Sequence, residues 1–267
     1  MCIIAFAWQL LPEHPLVLIA NRDEFYPRPS TTMAPWPDAP QIIGGRDLEA
    51  GGSWLASHAD GRFAAVTNHR DGRNKQPAEL SRGKLIRDYL TGSDSALVFC
   101  QQLQPDLPRY GGFNLLLGDR HGLYYQSNRG GGFRLLAPGL YGLSNALLDS
   151  PWPKTDALKQ RLANHLSQHP HPEPEQLLPL LWHRDTAADS QLPDTGIRYA
   201  WEKLLSACFI QATDQSYGTR ASTALVQHKS GQRRLIEQTF TPQGAAQLCH
   251  FEQQLESAVI TETELPA

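Results

Sequence analysis

Apolar residues along this chain come in short bursts, punctuated by Gly, Pro and Asp-Gly signals, and most bursts have the length and composition of β-strands. Ile3-Ile4-Ala5-Phe6-Ala7-Trp8 and Leu16-Val17-Leu18-Ile19-Ala20 flank a turn bounded by Pro12 and Pro15, which predicts a hairpin. Its outgoing strand ends in Asn21-Arg22-Asp23-Glu24. Residues 25–40 read as a long irregular loop rich in Pro, Ser and Thr, and loops of that length are often functional. Strands are expected over 41–47, 53–58 and 62–68, the last two joined at Asp60-Gly61. Further strands are expected over 113–117, 122–127, 132–136, 140–143, 207–212, 221–227 and 232–240, with Ser230-Gly231 as a hairpin turn.

Helical spacing of apolar residues appears over 81–90, with Ser81 as N-cap, and over 95–103, 156–166 and 175–182. Residues 183–196 are polar and read as a mobile connection. Strands joined mainly by tight turns favour antiparallel pairing, because parallel strands need a crossover after each one. The expectation is an α+β fold, a four-layer α/β/β/α sandwich of mainly antiparallel sheets, formed by a single domain over 1–267.

Composition narrows the function. The 267 residues are 40% hydrophobic and 19% charged, enough for a sizeable core. No apolar run approaches the roughly 20 residues of a membrane span, and no secretory signal opens the chain, so a cytoplasmic protein is expected. A net charge of -3 gives no general attraction for nucleic acid or anionic membrane. Cys2, Cys100, Cys208 and Cys249 form no close pair, so neither a disulfide framework nor a zinc site is expected, and no metal or resident cofactor. His165, His169 and His171 lie in a polar, Pro-rich stretch and read as solvated loop residues.

Cys2 is the residue with distinctive chemistry. Removal of Met1 would leave it with a thiol and a free α-amine of pKa about 7.7 to 8.0, so one residue could supply nucleophile and base. The competing reading is a buried small hydrophobe opening a strand. Along the second strand Asn21 and Asp23 share one face, Arg22 and Glu24 the other. Asn68, Asn145 and Arg220 each end an apolar or small-residue run. Asparagine amides can bind an oxyanion, and an arginine can hold a carboxylate or steady a thiolate. Taken singly, each is equally a strand-end or turn residue.

The motifs Met1-Cys2-Ile3-Ile4, Ala20-Asn21-Arg22-Asp23-Glu24-Phe25-Tyr26, Gly51-Gly52-Ser53-Trp54-Leu55, Ala65-Val66-Thr67-Asn68, Gly112-Phe113-Asn114-Leu115, Tyr141 to Leu148 with Pro151-Trp152, and Tyr217-Gly218-Thr219-Arg220 occur in this order. Over nearly its whole length the chain resembles the NRDE family, also called the transport and Golgi organisation protein 2 family. That family in turn resembles N-terminal-nucleophile amidases such as penicillin V acylase and bile salt hydrolase. The resemblance implies Cys2 as nucleophile, Asp23 on its amine, Asn68 and Asn145 at the oxyanion, and Arg220 completing the site. Asn21, Arg22, Glu24, Trp54 and Ser144 count as supporting or substrate-binding candidates. These amidases carry an arginine three residues before the aspartate, where this chain has Ala20, and Arg22 falls on the strand face opposite Asp23. The resemblance implies two functions: a hydrolase or acyltransferase acting on a non-peptide C–N or related acyl bond, or a carrier of a small molecule such as haem or an acyl compound.

Overall fold

The computed structural model describes residues 2–74 and 78–255. In chain order its elements are β1 (Cys2–Trp8), β2 (Leu16–Phe25), β3 (Ala34–Trp36), β4 (Ala39–Gly44), β5 (Leu55–His58), β6 (Phe63–Asn68), α1 (Gly83–Thr91), α2 (Ala96–Leu103), β7 (Phe113–Asp119), β8 (Gly122–Ser127), β9 (Gly132–Leu135), β10 (Gly139–Leu143), α3 (Pro153–Gln168), α4 (Pro174–Leu177), α5 (Tyr199–Leu204), β11 (Tyr217–Gln227), β12 (Gln232–Thr241) and β13 (Gly244–Gln254). The strands form two antiparallel sheets, ordered β10-β1-β2-β11-β12-β13 and β3-β4-β5-β6-β7-β8-β9. Among the described residues, no helix is long and apolar enough to cross a membrane.

Alternation along β1 and β2 decides the layering. Ile4, Phe6, Leu16 and Leu18 face inward and pack on Leu55, Phe63, Ala65 and Leu116 of the second sheet. Ile3, Ala5, Val17 and Ile19 face the other way, onto Leu158 and Leu162 of α3 and Leu177 of α4. The outer face of the second sheet, including Ala64, Leu115 and Leu117, is covered by Leu85, Ile86 and Tyr89 of α1 and Cys100 of α2. Helices, sheet, sheet and helices therefore stack in the expected order.

Two charged side chains on the inner face of β12 are buried between the sheets. The Arg233 guanidinium donates to Ser57 Oγ at 2.8 Å and to the Gly61 carbonyl at 2.8 Å, tying β12 to the β5–β6 hairpin. Glu237 accepts from Met33 N–H at 2.7 Å and from the Thr223 hydroxyl at 3.1 Å, which anchors the segment before β3.

Several sequence expectations need correction. The loop predicted over 25–40 contains β3 and the start of β4. Residues 207–212 form no strand; Gln211 makes one isolated bridge to Gly218, and Leu205, Ala207 and Ile210 are buried in a small cluster instead. The helix expected over 175–182 is one α-turn followed by a 3-10 turn, since Pro179 lacks the N–H an α-helix would use. Ser81 does not cap α1; the N-cap is Arg82, with no side-chain cap bond, whereas Ser95 caps α2 through Val98 N–H. Residues 183–196, read as mobile, are hydrogen-bonded in place: Ala187 N–H donates to Ser206 Oγ and Thr195 N–H to Glu202 Oε1. α5 and β13 were not foreseen.

Close approach, more than turn chemistry, explains Gly52: a Cβ there would collide with the backbone carbonyl group of Gly83 at the start of α1. Gly52→Ala is expected to cost about 1 to 3 kcal/mol in denaturant unfolding, because the obstacle is backbone and cannot swing aside. Burial pushes the Glu237 carboxyl up to about 7 from its ordinary 4.5. Between those two pH values the folded state keeps a proton that the unfolded chain has released, so stability falls as pH rises through the window, by about 3 kcal/mol in all. In Glu237→Gln that slope should be absent when unfolding is measured at pH about 5 and about 7.5.

Candidate active site

Register makes the site. Cys2 pairs directly with Arg22 across the β1–β2 ladder, so the thiol and the guanidinium share the inner face. Arg22 indeed faces away from Asp23, as alternation predicts, but the face it occupies is that of Cys2. It also shares that face with Ala20, two residues nearer the hairpin, where the resembling amidases carry their arginine. Arg22 is 6% exposed, lies 4.3 Å over the Trp54 ring and is 3.6 Å from Asp47 Oδ2. Arg28 donates to the same Asp47 oxygen at 2.8 Å. Burial works to raise the Asp47 carboxyl, but the Arg28 hydrogen bond, the Ala50 N–H and the charges of Arg28 and Arg22 outweigh it and hold Asp47 below the usual range.

These groups surround a polar cavity of about 170 Å³ whose wall includes Cys2, Arg22, Asp23, Glu24, Asn68 and Arg82. Asp23 belongs to the helix-side face of β2 and is fully buried. Its Oδ1 accepts from the Thr219 hydroxyl at 2.8 Å, and that hydroxyl accepts in turn from Ile210 N–H at 2.9 Å. Burial raises the Asp23 carboxyl, with Lys154 and the Thr219 hydrogen bond pulling the other way. Burial likewise raises the Cys2 thiol; Asp23 and Glu24 add to this, while Arg22 opposes it.

Asn68 and Asn145 meet. The Asn145 side-chain amide donates at 3.0 Å to both the backbone carbonyl and Oδ1 of Asn68, so the Asn68 carboxamide is held with its N–H groups left for other acceptors. Ser144 Oγ donates to the Cys2 carbonyl at 3.2 Å. Behind them a buried network joins the two sheets. Thr67 donates to the Ser144 carbonyl at 2.6 Å, and Asn114 Nδ2 to Thr67 Oγ1 at 3.1 Å and to the Ala146 carbonyl at 2.8 Å. The Tyr125 hydroxyl donates to Asn114 Oδ1 at 2.8 Å and accepts from Leu148 N–H at 3.1 Å.

The remaining candidates lie elsewhere. Arg220, at a bulge in β11, donates to the carbonyls of Phe25, Tyr26 and Arg28, fixing the turn after β2, and it is not among the residues lining the cavity. Asn21 faces the helix side, donating to the Leu181 and Cys208 carbonyls and accepting from Ser222 Oγ. Arg82 was not anticipated. It sits at the N-terminus of α1, donates to the Gly112 carbonyl at 3.1 Å and lines the cavity. Burial lowers its guanidinium, opposed by the charges of Cys2 and Glu24. Thr219 and Asn114 were visible inside quoted motifs, but only three-dimensional pairing reveals their partners.

A larger chamber of about 540 Å³ shares Glu24, Asn68 and Arg82 with the polar cavity and adds Phe25, Ile197, Trp201, Leu205 and Tyr217. Its wall is steadied by the buried pair of Arg70 and Glu202 at 2.9 Å, with Arg70 over the Trp152 ring at 4.6 Å.

Fold and cavity together define a class: an α+β two-sheet protein that gathers a thiol, arginines and carboxamides at one end of its sandwich. The chain belongs to the family described as Transport and Golgi organisation 2, whose model matches residues 1–242, as the NRDE resemblance implied. The mouse Transport and Golgi organization 2 homolog is 32% identical over 260 residues, covering 90% of this chain and 93% of its own. The human homolog is 32% identical over 257 residues with the same coverage, and the Drosophila melanogaster protein 28% identical over 285 residues, covering 97% of this chain and 100% of its own. Among solved structures, the Caenorhabditis elegans ortholog of N-acylethanolamine-hydrolyzing acid amidase matches with a TM-score of 0.47 at 12% identity, covering 84% of this chain and 92% of that one.

Thr219→Val removes a donor from a buried carboxyl and leaves Ile210 N–H short of its acceptor. A loss of about 1 to 3 kcal/mol is expected in urea unfolding. The loss should grow as pH rises, because the missing donor served the carboxylate.

Proposed function

We propose that this protein is an N-terminal-cysteine hydrolase or acyltransferase, cleaving a non-peptide C–N or related acyl bond through an acyl-enzyme on Cys2. The observation that carries this reading is the meeting of Cys2, Arg22, Asp23, Asn68 and Arg82 around one polar cavity. In this reading Met1 is removed, and the α-amine of Cys2 becomes the base for its own thiol. Asp23 steadies that amine. The sulfur attacks the acyl carbon, the amine carries the thiol proton to the leaving nitrogen, and a thioester remains. Asn68, held by Asn145, donates to the oxyanion, while Arg22 and Arg82 favour the thiolate. Water or another acceptor, activated by the same amine, then takes the acyl group and frees the thiol. Arg220 acts at one remove, by fixing the turn from which Arg28 engages Asp47.

The adjoining chamber, lined by Phe25, Trp201, Leu205 and Tyr217, suits an apolar acyl group whose carbonyl reaches Cys2 past Asn68. Intact-protein mass spectrometry after exposure to an electrophilic acyl probe is the test. Loss of Met1 and one adduct on Cys2, absent in a folded Cys2→Ala variant, is the expected result. Asn68→Ala should slow probe capture by about 10²- to 10³-fold, the size of a lost oxyanion donor. Retained Met1 and an inert Cys2, with saturable binding of haem or an acyl ligand that survives Cys2→Ala, would make the protein a carrier instead.

A further inference from the structure

Apart from the candidate active site, a cavity of about 390 Å³ opens beside the β12–β13 turn, and none of the residues lining it lines the polar cavity or its adjoining chamber. Its walls are aromatic: Tyr26 from the turn after β2, Trp182 after α4, Phe209 after α5 and Phe240 on β12. Phe209 and Phe240 are buried, their ring centroids 4.9 Å apart and their planes at 84°. Trp182 stands at 86° to Phe240, 6.3 Å away. Edge-to-face contacts of this kind fix the rings in their orientations. Trp182 is nonetheless 40% exposed, and its Nε1 donates to Ser222 Oγ at 3.2 Å, which holds the indole in place with part of its surface open to the cavity. Among the described residues lining this cavity, Arg184 is the one charged side chain. Its guanidinium lies over the Phe209 ring, 5.1 Å from the centroid. Stacking occupies a face of the planar guanidinium and leaves its in-plane N–H donors available to an acceptor.

We propose that this cavity is a binding site for a small aromatic carboxylate, its ring packed against Trp182 and Phe240 and its carboxylate held by Arg184. Aromatic walls alone would also suit a cation. Charge decides against one, because Arg184 repels it and, among the described residues, no carboxylate lines the cavity to offset that repulsion. Shape favours a flat, rigid body over a flexible chain: rings already fixed edge to face offer offset and edge-on contacts to another ring, and a rigid ligand loses little entropy in taking them. A two-ring acid fits, since about 390 Å³ falls within the roughly 300 to 1,000 Å³ usual for small-molecule sites. Arginine suits the anionic end because its guanidinium is weakly hydrated and can meet a carboxylate through two N–H groups at once. The site stands apart from the acyl-enzyme reading and holds whether or not Cys2 is a nucleophile.

The test is a ligand-observed NMR titration of the full chain with naphthoate, its neutral amide naphthamide, and octanoate. Naphthoate should bind at one saturable site with a Kd below about 1 mM. Naphthamide should bind about tenfold more weakly for want of the charge, and octanoate more weakly for want of the ring. Arg184→Met and Arg184→Gln should each weaken naphthoate about tenfold and leave naphthamide unchanged. Trp182→Leu should weaken both about 3- to 10-fold. Thermal unfolding by circular dichroism identifies which variants are folded, and the exposed Arg184 carries the readout if Trp182→Leu fails to fold. The chamber beside Cys2 is also apolar, but naphthoate bound there would be indifferent to Arg184. An unmoved naphthoate Kd in a folded Arg184 or Trp182 variant overturns the proposal. So does equal binding of naphthamide or octanoate, or no saturable binding of naphthoate up to about 1 mM.

Discussion

The buried hydrogen bonds around Asn114 are what the site depends on. A carboxamide with no exposure to water spans strand β6, strand β8 and the loop after β10, which belong to different sheets. Each partner left unmade there would cost a desolvation penalty of about 1 to 3 kcal/mol, so the network tolerates little sliding of one sheet over the other. Fixing that relation puts Asn68, at the end of a strand in one sheet, against Asn145, just beyond a strand in the other. The hydrophobic layer between the sheets supplies cohesion without direction. Asn114 and its partners supply the alignment.

Electrostatics at the cavity follow from the same enclosure. Cys2, Asp23, Arg82 and Lys154 are all shifted toward their neutral forms by burial, and each is answered by an opposite charge nearby. Glu237, less well answered, comes to rest near neutrality. The arrangement resembles a set of mutual supports, in which loss of one charge moves the protonation of several others.

Much of the layering was legible because it follows from local rules. Period-two alternation and tight turns identify the strands between Cys2 and Ser127 other than β3 and the start of β4, and the helical spacing of Leu158, Leu162 and Leu166 identifies α3. What escaped depends on pairing. Strand β13 is a largely exposed edge strand whose Gln, His and Glu residues give little apolar signal. Residues 207–212 look like a strand because they are apolar, yet they bury themselves in a loop cluster without a ladder. At the site, alternation correctly separated Arg22 from Asp23 but could not say which of them Cys2 accompanies. That depends on the register Cys2 to Arg22, which the turn between the strands sets and the sequence does not spell out. Likewise Arg220 ends an expected run, but its bond to three carbonyls of a distant turn has no local signature.

The placement of β2 between β1 and β11 also has a consequence for synthesis. Leu16 pairs with Gln227 and Phe25 with Tyr217, so one edge of the first hairpin is completed by a strand made about two hundred residues later. At elongation rates of about 5 to 20 residues per second, that edge waits roughly ten to forty seconds, apolar and unpaired, beside a free thiol. The late arrival of β11 therefore leaves the inner edge of the sheet open to premature pairing for as long as synthesis takes.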